Sequence, residues 1–193
     1  MLNPKCDDDS ESSKRSPITL LERRKIEAEI TAPLVRAFAA EIGEERAVAI
    51  VRGVIDSLAR RAGGELARSV AEASLQAFAS CLDRWTEGNA LEIETLESTE
   101  NRLAFNVIRC RYAEMYHALG LGDLGSTLSC RRDFSLVEGF NSNIKLARTQ
   151  TIMEGASHCD FRFEASGGDS SESASLNEGG GSSAIGGGDR SNN

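Results

Sequence analysis

Apolar residues in the first part of the chain recur at the three- and four-residue spacing that is typical of amphipathic helices. The spacing predicts one helix over residues 18–42, which Pro33 should kink or split and which Gly43 should end. A second helix is predicted over residues 44–61. The apolar stripes that should face a core are Ile18, Leu20, Leu21, Ile26, Ile30, Leu34, Phe38 and Ile42 in the first helix, and Ala47, Ile50, Val51, Val54, Ile55 and Leu58 in the second.

A third helix is predicted after the glycine pair Gly63–Gly64. It should run over residues 65–85 and stop at Gly88, because glycine commonly ends helices. Its inward-facing residues should be Leu66, Val70, Leu75, Phe78 and Leu82. Side chains with catalytic chemistry do not cluster on these helices, so the sequence assigns them a scaffold role.

The hydrophobic pattern changes to alternation in the second half, which is typical of strands with one buried face. Residues 91–96 and 103–110 each alternate, and the polar residues 97–101 between them predict a turn. The two strands are therefore predicted to form a hairpin. A second pair of strands is predicted over residues 144–153 and 158–164.

Short helices are predicted between these hairpins. They cover residues 112–119 and 124–134, and a loop is predicted over residues 139–143. The order of elements predicts an α+β fold, in which an N-terminal helical layer packs with a small antiparallel sheet made of two hairpins joined by short helices.

Composition divides the 193 residues into one domain and two polar tails. Residues 166–193 hold 8 Gly and 8 Ser, which predicts a disordered tail because little apolar surface is present to offset the entropy of ordering. Residues 1–16 are predicted to form a disordered N-terminal arm. The single α+β domain is predicted to cover residues 17–165.

Charge and cysteine usage exclude several classes of protein. The formal net charge of −8 argues against a nucleic-acid partner, because phosphate contacts need an excess of Lys and Arg. Apolar runs of about 18 residues are missing from the sequence, so no membrane partner is expected. The first residues do not have the pattern of a signal peptide, which predicts a cytoplasmic location. Five cysteines, an odd number, predict free thiols rather than a disulfide framework.

Three cysteines are candidates for chemistry because each lies where a predicted strand or short helix begins or ends. They are Cys110, Cys130 and Cys159, and they could converge on one pocket. The alternative is that they pack as small apolar side chains, as buried cysteines often do. Cys81 lies on an apolar helix stripe and is predicted to be a core residue, and Cys6 lies in the N-terminal arm.

A zinc site is the second way to use these thiols. Three thiolates with His117 or His158 would supply the ligand types that zinc prefers. The sequence has no Cys-x-x-Cys pair, however, and His158 and Cys159 should point to opposite faces of a strand. We therefore expect no metal cofactor, and zinc remains the alternative.

Arg148 interrupts an otherwise apolar strand face and so requires an anionic partner. It shares that face with Ile144 and Leu146. Because a buried guanidinium is costly without a counter-charge, the partner is either a carboxylate of the protein, Asp133 or Glu154, or the carboxylate of a small substrate.

The second half of the sequence resembles the L-2-amino-thiazoline-4-carboxylic acid hydrolase family. The residues that carry the resemblance are Cys110–Met115, Leu119–Gly120, Cys130, Asp133–Phe134, Glu138–Asn141, Arg148–Gly155 and His158–Phe163. The helical lead-in of residues 20–43 is also similar, so the resemblance covers about residues 18–163. The last hairpin is more weakly similar to small-ligand-binding domains of the vinyl-reductase type.

The resemblance implies a ring-opening hydrolysis in the bacterial conversion of the thiazoline to L-cysteine, with N-carbamoyl-L-cysteine as product. Arg148 would then anchor the substrate carboxylate, with His158 as a further substrate-binding residue. Asp133 or Glu154 would act as general acid and base. One of Cys110, Cys130 and Cys159 would be the nucleophile, and the flanking Arg109, Arg111, Arg131 and Arg132 would lower its pKa.

Three other functions are compatible with the same residues. One is a related hydrolase of another cyclic amidine, the second is a non-catalytic domain that binds or senses a small ligand, and the third is a structural zinc domain. The partner is expected to be a small-molecule substrate, and the sequence does not predict an oligomeric state.

Overall fold

The structure, a computed structural model, describes residues 18–166. The predicted arm, with Cys6, and all of the predicted tail except Ser166 lie outside the described residues. The described part combines N-terminal helices with a four-stranded antiparallel sheet. The predicted α+β class is therefore confirmed.

Two long helices open the domain, α1 (Leu20–Ile42) and α2 (Glu44–Arg68). Thr19 begins α1 with a capping box: its hydroxyl accepts a hydrogen bond from the Glu22 amide, and the Glu22 carboxylate accepts one from the Thr19 amide. Gly43 ends α1 as predicted, with a φ of +86° that favours glycine.

Of the two effects predicted for Pro33, the split is wrong, because α1 continues through the proline. Ala32 and Val35, on either side of the proline, are both buried in the same core cluster. Tertiary packing thus holds both halves of the helix in one element, against the local preference of proline.

The helix boundary predicted at Gly63 is also wrong, because α2 runs through the glycine pair. A Cβ atom at Gly63 would overlap the carbonyl oxygen of Leu136 in α7 (Arg132–Phe140), and one at Gly139 of α7 would overlap that of Arg60. These glycines therefore allow two helices to approach closely rather than ending one of them.

The single helix predicted over residues 65–85 is replaced by two short ones, α3 (Leu75–Ser80) and α4 (Asp83–Thr86). The Ser74 hydroxyl accepts a hydrogen bond from the Ala77 amide and so begins α3 separately from α2. Gly88 lies in the 3₁₀ turn that follows α4, with a φ of +64°.

The sheet contains β1 (Leu91–Ser98), β2 (Arg102–Cys110), β3 (Ile144–Ala147) and β4 (Cys159–Ala165). The strand order is β1-β2-β4-β3, and every neighbouring pair is antiparallel. β1 and β2 form the predicted hairpin. Pairing of β4 with β2 joins the two strand pairs into one sheet.

The strand predicted over residues 144–153 ends early, at Ala147. The Asp160 carboxylate accepts hydrogen bonds from the amides of Thr149 and Gln150, each at 2.9 Å, and from the Thr149 hydroxyl at 2.6 Å. A side chain thereby takes the place of a strand partner, and a 3₁₀ helix, Ile152–Glu154, follows.

The connection between the two strand pairs is helical. α5 (Arg111–Ala118) confirms the helix predicted there. The next predicted helix is α6 (Gly122–Gly125), a π-helical turn (Ser126–Cys130) and α7 in succession. α7 continues to Phe140, so the loop predicted from residue 139 begins later than expected.

The apolar stripes predicted for the first two helices are only partly buried. Small residues such as Ala28, Ala32, Ala47 and Ala59 occupy the contact face, because they allow helix backbones to approach. The larger apolar residues that remain exposed are Ile18, Ile26, Ile30, Leu34, Phe38, Ile42, Ile50, Val54 and Leu58. Within residues 18–166, none of the helices combines the length and apolar composition that crossing a membrane requires.

Candidate functional site

A cavity lies between one face of the sheet and the helices that pack on it. Its volume is about 100 Å³, which gives room for several waters or one small ring compound, because a single water needs about 10–15 Å³. Most of the lining is apolar: Leu20, Phe78, Leu82, Trp85, Leu91, Ile93, Phe105, Val107, Leu136, Val137, Phe161 and Phe163.

The polar part of the lining brings together five residues that the sequence singled out. They are Cys110, Cys130, Asp133, Arg148 and Cys159. They come from the end of β2, the π turn, the first turn of α7, the segment after β3 and the start of β4. One cavity is thus lined by three thiols, one carboxyl group and one guanidinium, although these residues lie up to 49 positions apart in the sequence.

Arg148 is fixed by four contacts. Its Nη1 donates to Asp133 Oδ2 at 2.5 Å and its Nη2 donates to the Cys130 carbonyl oxygen at 2.9 Å. Its guanidinium carbon also lies 5.0 Å from the ring centroid of Phe134 and 4.9 Å from that of Phe161, which is favourable cation–π geometry. The Arg148 side chain is only 5% exposed. Of the partners that the sequence left open, the structure thus selects Asp133.

Asp133 combines burial with this ion pair. Burial raises the pKa of the Asp133 carboxyl group above its ordinary value, and the charge and hydrogen bond of Arg148 only partly oppose that effect. The side chain keeps 30% of its surface exposed, and it lines the cavity. A carboxyl group in this position can exchange a proton with a molecule in the cavity.

A π turn precedes α7 and contains Cys130. The Arg131 amide donates to the Ser126 carbonyl oxygen, five residues earlier, at 2.9 Å. A π turn inserts one extra residue into a helical path, and such turns are frequent at functional sites. Cys130 ends this turn and Asp133 lies in the first turn of α7, and both line the cavity.

Burial raises the pKa of all three thiols. The pKa of Cys110 rises to about 11, and those of Cys130 and Cys159 rise as well, with the negative charge of Asp133 as a further cause in each case. Amide donors partly oppose this effect: Ala113 donates to Cys110 Sγ at 3.4 Å, and Ile152 to Cys159 Sγ at 3.2 Å. The thiols are therefore protonated at neutral pH.

The arginines that flank the cysteines in sequence do not lower these pKa values, contrary to the expectation. Arg109 pairs with Glu92 and Glu114. Arg131 pairs with Asp56. Arg111 donates to the Gly88 carbonyl oxygen, and Arg132 pairs with Glu27. Arg109, Arg111 and Arg131 do not line the cavity, because neighbours in sequence on a strand or helix point in different directions. Arg132 does line it, but its charge is paired with Glu27.

Glu154 and His158 do not line the cavity. The Glu154 carboxylate accepts a hydrogen bond from the Thr151 hydroxyl at 2.7 Å and so helps to begin the 3₁₀ helix. His158 contacts Gln150 and Ser157 through its ring nitrogens. The alternation of β4 explains this placement, because Cys159 faces inward and its neighbour His158 does not.

Metal-ligand side chains do not converge within the described residues: no group of three His, Cys, Asp or Glu could hold a metal ion there. His117, a ligand of the zinc alternative, lies 3.2 Å from the Met153 carbonyl oxygen through Nε2.

Sequence reasoning missed two cationic residues of the cavity. Arg24 of α1 and Arg132 of α7 both line it, although the sequence indicates Arg132 only as a neighbour of Cys130 and gives no reason to single out Arg24. Arg24 lies among the charged residues of an amphipathic helix, where a solvated position is the usual expectation. The only local signal was its spacing of three residues from Glu27.

The solved structures that are similar to this chain at low sequence identity include a trafficking-complex subunit and a sensory domain. Subunit 3 of a trafficking protein particle complex from Naegleria fowleri, covalently bound to palmitic acid, matches with 8% identity and a TM-score of 0.47, covering 76% of this chain and 96% of its own. The phenol-responsive sensory domain of the transcription activator PoxR, solved with phenol, matches with 12% identity and a TM-score of 0.43, covering 70% of this chain and 73% of its own. Among curated proteins, none matches this sequence.

Residues 23–163 match the family of L-2-amino-thiazoline-4-carboxylic acid hydrolases. The matched range contains every polar residue of the cavity lining, from Arg24 to Cys159. Because the match spans well over half of the sequence, the chain belongs to the L-2-amino-thiazoline-4-carboxylic acid hydrolase family.

Proposed function

We propose that this chain opens the ring of L-2-amino-thiazoline-4-carboxylate by hydrolysis and releases N-carbamoyl-L-cysteine. The observation that carries the proposal is the single cavity in which Asp133, its partner Arg148 and three thiols meet. Membership of the family supports the hydrolase class. The size of the cavity suits one small ring compound.

The proposed reaction uses Asp133 twice. A water oxygen bonds to the ring carbon that lies between nitrogen and sulfur, while Asp133 accepts a water proton and passes it to the ring nitrogen. Asp133 then accepts the remaining hydroxyl proton as the carbonyl forms, and passes it to the sulfur as the carbon–sulfur bond breaks. One water is consumed, and Asp133 returns to its starting state. A raised pKa suits a group that must both accept and donate protons.

Arg148 acts in this proposal through Asp133 rather than on the substrate. Both terminal nitrogens of its guanidinium already donate to protein oxygens, and two aromatic rings pack against it. It therefore fixes the orientation of the carboxylate and keeps part of its population ionised, as the proposed base must be. The carboxylate-anchoring role expected from the sequence is left to other residues.

A thiol nucleophile is the competing route within the same cavity. A thiol of Cys110, Cys130 or Cys159 would pass its proton to Asp133 and bond to the ring carbon, and Asp133 would return that proton to the ring sulfur as the carbon–sulfur bond of the ring breaks. Water would then add to the same carbon, and the bond to the enzyme sulfur would break as the carbonyl forms, which restores the thiol. The raised thiol pKa values favour the water route, because thiolate is scarce at neutral pH. Mass analysis of the acid-quenched protein separates the two, since only the thiol route gives a covalent adduct.

The test of the proposed activity is incubation of the full chain with L-2-amino-thiazoline-4-carboxylate, followed by mass analysis of the product. The proposal expects a product that has gained one water, at a rate that a chelator leaves unchanged. Turnover of hydantoins or imidazolines in place of the thiazoline would instead assign the chain to another cyclic-amidine hydrolysis. Absence of turnover on the whole panel would refute the hydrolase proposal.

Binding of a small apolar ligand without turnover is the second candidate, and the composition of the cavity favours it. Twelve of the lining residues are apolar, and the thiols beside them are protonated. Trp85, the single tryptophan of the chain, lines the cavity and reports its occupancy by fluorescence. Saturable quenching by small aromatic compounds, with no turnover of any thiazoline, would favour this function.

A further inference from the structure

Arg24 and Arg132 form a second charged cluster at the cavity. Arg24 Nη1 lies 2.7 Å and Arg132 Nη2 lies 2.9 Å from the same oxygen, Oε2 of Glu27. The two arginine side chains are only 16% and 12% exposed, and both line the cavity. Arg132 is further fixed by donation from its Nε to the Leu128 carbonyl oxygen at 2.7 Å.

Positive charge is in excess in this part of the cavity. Among the described residues that line the cavity or pair with its lining, three arginines face two carboxylates, those of Glu27 and Asp133. Asp133 is paired with Arg148, so only the Glu27 carboxylate is left to pair with both Arg24 and Arg132. The two guanidiniums repel each other because they lie 2.7 and 2.9 Å from the same Glu27 oxygen, and burial together with the charge of Arg24 lowers the pKa of Arg132. A second anion between them would relieve that repulsion.

We propose that Arg24 and Arg132 bind the carboxylate of the ring substrate, so that only rings carrying an anionic substituent are placed against Asp133. The inference rests on the proposed hydrolase function and adds its specificity-determining residues. A guanidinium suits this task because its fork of N–H donors matches a carboxylate. Arg132 and Asp133 are consecutive in α7, which places the anchor beside the group that handles protons.

The test compares two substrates in five proteins. The substrates are L-2-amino-thiazoline-4-carboxylate and 2-amino-thiazoline, which lacks the carboxylate. The wild type is compared with Arg24→Gln and Arg132→Gln, and with their sequence neighbours Lys25→Gln and Arg131→Gln as matched controls. Lys25 is 53% exposed and pairs with Glu29, and Arg131 pairs with Asp56 away from the cavity.

We expect both cavity variants to raise KM for the carboxylate substrate by about 10- to 100-fold, with little change in kcat, because hydrogen bonds to charged groups contribute on this scale. Their kcat/KM for the analogue without the carboxylate should not fall below the wild-type value, and the controls should match the wild type on both substrates. Equal losses on both substrates would overturn the proposal.

Glu27→Gln covers the case in which the arginine variants fail to fold. Removing the competing carboxylate should lower KM for the carboxylate substrate, and an unchanged or raised KM would contradict the proposal. If the wild type hydrolyses neither compound, calorimetric binding of the same two compounds decides. Binding that needs both the carboxylate and Arg132 retains the anchor and refutes only the hydrolase, whereas binding that is indifferent to the carboxylate refutes the anchor.

Discussion

Replacement of Arg148 by methionine should destabilise the fold chiefly through the carboxylate that it leaves behind. The variant keeps an unbranched side chain of similar length but removes the partner of Asp133. It also removes the hydrogen bond to the Cys130 carbonyl oxygen and the contacts with two aromatic rings.

The magnitude follows from the exposure of the two partners. Removal of one member of a buried ion pair costs about 3–5 kcal/mol, because an uncompensated charge stays buried. Arg148 is 5% exposed, but Asp133 keeps 30% of its side-chain surface, so the lower end applies. We therefore expect the free energy of unfolding to fall by about 3 kcal/mol. The double variant Arg148→Met/Asp133→Asn should recover most of this loss, because no charge then remains.

The loss should also depend on pH in a defined direction. Without Arg148, the pKa of Asp133 in the folded state rises further above that of the unfolded chain. A carboxyl group with a raised folded pKa contributes stability below its unfolded pKa, and this contribution is lost as pH rises through the folded value. The difference from the wild type should therefore shrink between pH 8 and pH 5.

Urea unfolding followed by Trp85 fluorescence at the two pH values measures these quantities, because Trp85 is the only tryptophan. The reasoning is refuted if Arg148→Met costs less than about 1 kcal/mol at pH 8, the scale of an exposed ion pair. A double variant less stable than Arg148→Met would refute it as well.

Further predictions concern packing, the turn after β3 and the thiols. Gly63→Ala should lower the free energy of unfolding by about 1–3 kcal/mol, because its Cβ would overlap the backbone of α7. Gly53→Ala in the same helix is the control: a Cβ there meets open space, so urea unfolding should show a free energy of unfolding that is unchanged or higher. Burial opposes ionisation of Asp160, but hydrogen bonds from Thr149 and Gln150 together lower its pKa. Asp160→Asn should therefore destabilise the fold at pH 7, and the difference from the wild type should disappear as pH falls through the lowered pKa, which thermal melts at pH 7 and at a pH below that value would show. Iodoacetamide should modify Cys110 far more slowly at pH 7.5 than it modifies free cysteine, since its pKa is about 11; labelling at the rate of free cysteine, measured by mass, would contradict the raised pKa.

The inward position of Arg148 could be predicted from the sequence because alternation survives where the strand ends. Ile144, Leu146 and Arg148 point the same way, although pairing in β3 stops at Ala147. Burial keeps alternating through Arg148, whose side chain is 5% exposed, so the period of two continues past the end of the strand. The sequence pattern thus located the guanidinium, but it could not choose among its partners.

Contacts between distant segments could not be predicted in the same way. Gly63 lies inside α2 because its contact partner, Leu136, is 73 positions away, and a single sequence shows only the local preference of glycine. The pairing of Arg132 with Glu27 spans an even longer separation. The thiol pKa values depend on burial, which a pattern of cysteines does not reveal. The local pattern likewise predicts that the large apolar residues of α1 and α2 face the core, whereas contacts with distant segments place the alanines there instead.

Asp133→Asn separates substrate binding from proton transfer when binding and turnover of L-2-amino-thiazoline-4-carboxylate are measured on the same preparation. Asparagine keeps an acceptor for Arg148 but cannot exchange the protons that the reaction requires. We predict that calorimetry shows binding close to that of the wild type, while mass analysis detects no hydrated product above the uncatalysed rate. Turnover at the wild-type rate by this variant would contradict the account, because the chemistry would then not depend on Asp133.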